Sequence, residues 1–256
     1  MRPSATPRSQ STQADDSALE RIPLGDRLAT ELKAAVNGER GLRRAARTRA
    51  ALKLAALEIL SEDDLSSLTI AAVTGRAGVA VGTFYVHFNG TRDLALEVFS
   101  EFAAVDIAPA MPEGGTLPDL YTGMKATFVE IVRTFRRRRK LFRSLFQMKR
   151  QDDAANAVWL GLTASWADAL SAIARKHDQG PMPQGFNSFV GHATTAFADE
   201  IMTRIYIDEI FGPEFPGDPS NDEVVAEWLA FARHRMLFGM DPDPKLLAAP
   251  PPPAVR

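Results

Sequence analysis

At 256 residues, with 45% hydrophobic and 24% charged side chains, the chain has the composition of an ordinary globular protein and is long enough for one large domain or two smaller ones. It contains no cysteine, which excludes disulfides, thiolate nucleophiles and Cys-ligated zinc or iron–sulfur sites. A formal charge of −2 excludes a globally basic nucleic-acid binder, so any such contact has to come from a local patch.

The N-terminus, Met1 to Asp16, is rich in Ser, Thr, Gln and Pro and lacks the apolar segment of a secretory signal. No apolar run looks long enough to span a bilayer, so a cytoplasmic protein without a membrane partner is expected. Met1 to Ser17 has almost nothing to bury and is expected to be disordered. Leu24, Leu28, Leu32 and Val36 give a weak helical pattern, which Asn37-Gly38 and Gly41 interrupt. Arg40, Arg43, Arg44, Arg47 and Arg49 follow with no acid among them. Residues 1–45 are therefore expected to form a flexible extension with a basic arm.

Ala50 to Leu60 reads as a helix of strong helix formers, ended by Ser61-Glu62-Asp63-Asp64. Thr69 is a suitable N-cap for a second helix, Ile70 to Ala77, and Gly78 for its C-terminal turn. A third short helix runs from Val81 to Phe88, where Asn89-Gly90 breaks it. A fourth, capped by Asn89 or Thr91, carries Leu94, Leu96, Val98, Phe99 and Phe102. Beyond Pro109, Pro112 and Gly114-Gly115 the helical periods lengthen: Leu117 to Arg137, Leu141 to Lys149, Ala154 to Lys176, Phe186 to Phe211 and Asp222 to Met240. Gln179 to Gln184 reads as a loop, and Asp241 to Arg256 as a Pro-rich tail, disordered or polyproline II. No alternating strand pattern occurs, so the fold class is all-α.

The short helices between Arg47 and Phe102 carry the functional signal. Gly78, flanked by Ala77 and Val79, suits the tight turn between two steeply crossed helices. Around it stand Thr69, Val73, Ala77-Gly78-Val79, Gly82-Thr83-Phe84-Tyr85, His87-Phe88 and Leu94, with Ala55-Ala56 in the preceding helix. In this order, over about fifty residues, they resemble the N-terminal signature of the TetR family of transcriptional regulators. Thr74 and Gly75 depart from the family pattern, Asp64 stands where its Gly follows the first helix, and Thr91 replaces a Lys that grips a phosphate.

The resemblance implies an N-terminal helix-turn-helix DNA-binding domain at 46–105, with the motif near 69–88. A helical effector-binding and dimerisation domain at 106–240 would follow, and then the tail at 241–256. It implies a recognition helix that turns Val81, Gly82, Thr83 and Tyr85 to the major groove. Gly82 would permit close approach, Thr83 would meet a base or phosphate, and Tyr85 and His87 would hold phosphates. Thr69, at the opening of the second helix, belongs to the same DNA-binding set. Arg92 stands in for the missing Lys, and Arg47 and Arg49 would reach phosphates or a minor groove from the arm. Phe88, by contrast, is expected in the core.

Arg136 to Lys140, a second basic run, sits where a helix ends and reads as structural. The last two helices are apolar on more than one face, which fits a homodimer joined through them. Phe128, Phe135, Phe146, Trp159 and Trp166 are candidate contacts for a small, mostly apolar effector, although aromatic residues at helical spacing are more often plain core. His192 and His234 read as core or interface residues. An α-helical enzyme, or an adaptor with a non-functional head, is the alternative. No H-E-x-x-H, G-x-S-x-G or phosphate-loop pattern supports an enzyme, and no metal or cofactor is expected. The expected function is a DNA-binding repressor released from its operator by the effector.

Overall fold

The computed structural model describes residues 22–38, 41, 43–108, 116–177, 183–210 and 221–248. The expected disorder of Met1 to Ser17 and most of the Gln179 to Gln184 loop lie outside them. Among the described residues there are ten α-helices and no strand, so the chain is all-α. They are α1 (Arg27–Asn37), α2 (Arg44–Glu62), α3 (Ile70–Ala77), α4 (Val81–His87), α5 (Thr91–Phe102), α6 (Leu117–Arg137), α7 (Arg139–Gln151), α8 (Asp153–Lys176), α9 (Phe186–Tyr206) and α10 (Asp222–Phe238).

The short helices pack around Leu52, Ala56, Leu60, Val73, Phe84, Phe88, Leu94, Val98 and Phe99, all buried. Thr69 caps α3 as expected, its Oγ1 accepting from the Ala72 amide at 3.1 Å. Gly78 closes α3 at φ +66°, a left-handed conformation that a Cβ disfavours. Its amide and that of Val79 then donate to Gly75 O and Thr74 O at 3.3 and 3.0 Å, ending the helix abruptly enough for α4 to start at Val81.

Two expectations fail at the N-terminal side. Within the segment read as a flexible extension, residues 27–37 form α1, because Leu28, Leu32 and Ala35 have a buried face to occupy against α2. The helix expected from Ala50 starts at Arg44, so Arg44, Arg47 and Arg49 ride on α2 and not on an arm. The entry into α1 is fixed by Asp106, a buried side chain 78 to 81 residues away. Its Oδ1 accepts from the amides of Gly25 (2.8 Å) and Arg27 (2.9 Å), and its Oδ2 from Leu28 (3.1 Å). Burial pushes this carboxyl up, against the pull of the three amides. Asp106 lies in a single π-helical turn, Ala103–Ile107, that continues α5.

The longer helices pair as α8 with α9 and α6 with α10, and α7 packs on α2 and α8. Gly191 lets α9 approach α8. A Cβ there would stand 2.4 Å from Ala167 O and 2.3 Å from Ser171 Oγ. Thr116 and Asp119 form a capping box on α6. The basic run at the α6–α7 junction is structural. Arg136 pairs with Asp222 at 2.7 Å, Arg138 with Asp26 at 2.6 Å and Arg139 with Glu209 at 2.5 Å, while Arg137 donates to Leu24 O at 2.7 Å and Lys140 to Glu62 O.

Three boundaries differ from expectation. α9 ends at Tyr206, since Ile207 and Asp208 already turn, and Phe211 lies outside the described residues. α10 ends at Phe238, closed by Gly239 at φ +67°. The start of the tail is ordered, with Asp243 capping a 3-10 turn at Pro244–Leu246, Leu246 and Leu247 packed on the core, and the Ala248 amide donating to Glu227 at 2.8 Å. Contrary to the reading of hydropathy, α8 has the length and composition of a bilayer-spanning helix. In this fold its Trp159, Leu162, Leu170 and Ile173 are buried in the bundle. Tail residues 249–256 lie outside the described residues.

Candidate nucleic-acid interface and ligand cavity

The seven-residue helix α4 divides its side chains between two environments. Phe84 and Phe88 are buried and tilt against each other at 5.9 Å, which fastens the helix to the core. Opposite them Val81 (51% exposed), Tyr85 (58%) and Val86 (78%) face outward. Exposing that much apolar surface on one turn-and-a-half of helix is unfavourable unless something covers it. Gly82 opens the same face, with nothing within 4 Å of a Cβ placed on it. Thr83 and His87 are half-buried at its edge. Val81, Gly82, Thr83 and Tyr85 therefore share one exposed helix, and Val86 joins them although the sequence reading passed over it. Thr69 is exposed at the start of α3, its hydroxyl engaged in the cap.

The arginines separate into three settings. Arg47 is exposed, its Nε donating to Val36 O at 3.2 Å. Arg43 and Arg44 beside it are exposed too. Arg49 is turned inward. Its guanidinium lies 4.2 Å over the Phe88 ring, pairs with Glu97 and donates to His87 O at 2.5 Å. It ties the end of α4 to α5, a bracing contact the sequence reading did not anticipate. Arg92, at the start of α5, is exposed and paired with Asp152, the N-cap of α8. The guanidinium holds Asp152 below the usual carboxylate range. This pair joins the short-helix head to the long-helix body.

Inside the body lies a cavity of about 20 Å³, between α6, α8, α9 and α10. Of the candidate effector contacts, Phe128, Phe135, Trp159 and Trp166 line it. Phe146 does not, since it stands behind the wall with its ring 5.0 Å from Trp159 and 6.1 Å from Phe135. Phe142 is stacked on Phe135 at 3.8 Å, and Phe189 is exposed on the surface. Sequence reasoning missed two charged residues of the lining, Asp199 and Arg233. Asp199 Oδ2 accepts from Trp159 Nε1 at 3.2 Å and faces Lys149 at 3.4 Å, and burial pushes its carboxyl up. Arg233 was legible in principle, as a lone cation at helical spacing between Leu229 and Leu237. His234 is a core residue, its Nδ1 3.0 Å from Met240 O, whereas His192 is exposed.

Residues 54–98 match the family described as bacterial regulatory proteins, tetR family. That span covers α3 and α4, the second half of α2 and most of α5. No curated protein matches the chain. Among solved structures the chain is similar to the TetR family repressor AlkX from Dietzia sp. strain DQ12-45-1b, implicated in biodegradation of n-alkanes. The two share 21% identity over 74% of this chain and 96% of that one, with a TM-score of 0.38. The capped α3, the left-handed turn at Gly78 and the exposed α4 fall inside the matched span, and it is through this segment that the chain is similar to the tetR family of bacterial regulatory proteins.

Proposed function

We propose that the protein is a homodimeric repressor that reads a two-half-site operator and is released from it by a small, mostly apolar molecule. Residues 46–105 serve as the DNA-binding domain and 106–240 as the effector and dimerisation domain. The observation that carries the DNA reading is the split character of α4. Phe84 and Phe88 anchor it, and Val81, Tyr85 and Val86 stand exposed around the open backbone of Gly82. Thr83 reads a base, Tyr85 and His87 set register on phosphates, and Arg47 supplies a phosphate contact from the first turn of α2. Arg49 acts by holding α4 in place.

Dimerisation through α9 and α10 is supported by their outer surface. Phe189 is 67% exposed and Met236 37%, with Phe197 and Phe231 half-buried nearby on the same two helices. Release is supported by the cavity's neighbours. Trp159 of its wall stacks on Phe99 of α5 at 6.3 Å, and Ile107 of its wall belongs to the π turn that ends α5. A molecule that spreads the wall moves the helix on which the head is mounted. It lowers DNA affinity only by as much as it prefers the spread form.

Selection from random duplex DNA tests the reading. An enriched palindrome with half-sites about one helical turn apart, or a multiple of that, is expected. Thr83→Ala then changes the preferred bases, while Arg47→Ala weakens all sequences alike and reduces the salt slope by about 1. No enriched site, or a monomer at micromolar concentration, would refute it.

A further inference from the structure

Arg233 is 6% exposed, and its Nε has no hydrogen-bond partner. Among the described residues its guanidinium meets the Phe128 ring, 4.3 Å from the guanidinium carbon. A ring face attracts a cation but satisfies none of its N–H donors. No acid faces it. Burial alone pushes Arg233 down to about 9, so it remains charged at neutral pH. An uncompensated buried charge is expensive, and a fold that merely needed to fill this position would be better served by Met or Leu.

The other polar groups of the cavity narrow what could compensate it. Thr163 and Thr195 donate their hydroxyls to Trp159 O and Gly191 O of their own helices, both at 3.0 Å. The Asp199 charge is answered by Lys149. Trp166 Nε1 is a second buried donor without an acceptor. The remaining demand is for acceptor atoms and negative charge. Asp199 Oδ1, itself without a donor, repels an anion from the α9 wall and leaves the Arg233 side as the place for its head.

We propose that the cavity receives an organic acid, its carboxylate on the Arg233 guanidinium and its apolar body among Phe128, Phe135 and Trp159. This rests on the reading of the body as an effector domain, and gives the mostly apolar effector an anionic head. A guanidinium–carboxylate pair in a water-poor site is charge-assisted and can be bidentate, so the acid is separated from its neutral amide. The cavity's 20 Å³ holds about one water, so the acid enters by parting the helices.

The experiment measures binding of matched probes to the full chain by calorimetry: benzoate, 2-naphthoate and 4-phenylbutyrate, each against its primary amide. At least one acid is expected to bind about tenfold or more tightly than its amide. Arg233→Met should reduce that ratio to about threefold or less, Arg233→Lys should keep part of it, and ligand-free Arg233→Met should melt at or above the wild-type temperature. If Arg233→Met fails to fold, the wild-type and Arg233→Lys ratios decide. Amides that bind as well as acids, an acid preference that survives Arg233→Met, or no acid binding up to millimolar concentration would overturn the proposal. Binding that leaves operator affinity unchanged would uphold it while defeating release by that acid.

Discussion

Asp106→Ala removes the acceptor on which the entry to α1 depends. Three amides lose their partner: Gly25 at 2.8 Å, Arg27 at 2.9 Å and Leu28 at 3.1 Å. Gly25 and Leu28 are buried, and the half-buried Arg27 amide can rehydrate. Each stranded buried donor costs about 1–3 kcal/mol, partly offset because the substitution also removes a buried carboxyl. A net loss of about 3 kcal/mol is expected, which for a chain of this size lowers the melting temperature by about 6–12 °C. Asp106→Asn separates hydrogen bonding from bulk. An amide oxygen at the Oδ1 position keeps Gly25 and Arg27, but the amide NH2 then faces the Leu28 N–H, so about 1–2 kcal/mol is lost. Thermal unfolding gives the order wild type, Asn, Ala. Hydrogen exchange locates the effect, with faster exchange at Gly25 and Leu28 in the Ala variant. A loss below about 1 kcal/mol for Ala, or Asn at least as damaging as Ala, would refute the assignment of Asp106 as the cap of α1.

Asp152→Asn keeps the cap of α8 but frees Arg92, so affinity for any duplex should rise about three- to tenfold with little change in melting temperature, read by a salt-resolved binding titration. Gly191→Ala places a methyl 2.4 Å from Ala167 O, a backbone atom that cannot swing aside, and should destabilise by about 1–3 kcal/mol in denaturant unfolding. Burial holds His234 below its ordinary value of 6.5, so the unfolded chain takes up its proton first and stability falls as pH drops below that value. His234→Gln should flatten this part of the stability–pH profile, and an unchanged profile would assign the acid sensitivity elsewhere.

What the sequence disclosed was governed by separation along the chain. The Thr69 cap, the Gly78 turn and the Phe84–Phe88 anchor are made by neighbours, so order and spacing sufficed to place them. Thr83 and Tyr85 were assigned to the DNA-facing side from the family resemblance that this local spacing carries, and Tyr85 is exposed while Thr83 is half-buried. Arg49 misled because its partners are 38 to 48 residues away, and a run of arginines in sequence gives no hint that one is turned inward. Asp106 is an ordinary acid in an apolar stretch until Gly25 and Leu28 are brought to it. The helix α1 was underrated because its three buried side chains look sparse alone and count only against α2. Phe146 shows the limit of an aromatic stripe: periodicity puts a ring on the correct face of a helix, but the neighbouring ring decides whether it touches the cavity.

The mounting of α5 has a mechanical consequence. Arg92 fastens its first turn to Asp152, and Phe99 fastens its last to Trp159. Twelve helical residues span about 18 Å, so the helix is a stiff beam held to the body near both ends. If the support at Trp159 shifts so that the beam tilts by about 5°, its far end travels about 1.5 Å. In the proposed symmetric dimer the two ends would move in opposite senses, and the distance between the heads would change by about 3 Å. That is close to one base-pair step of about 3.4 Å, so a displacement too small to alter the packing of either head is enough to put two half-sites out of step.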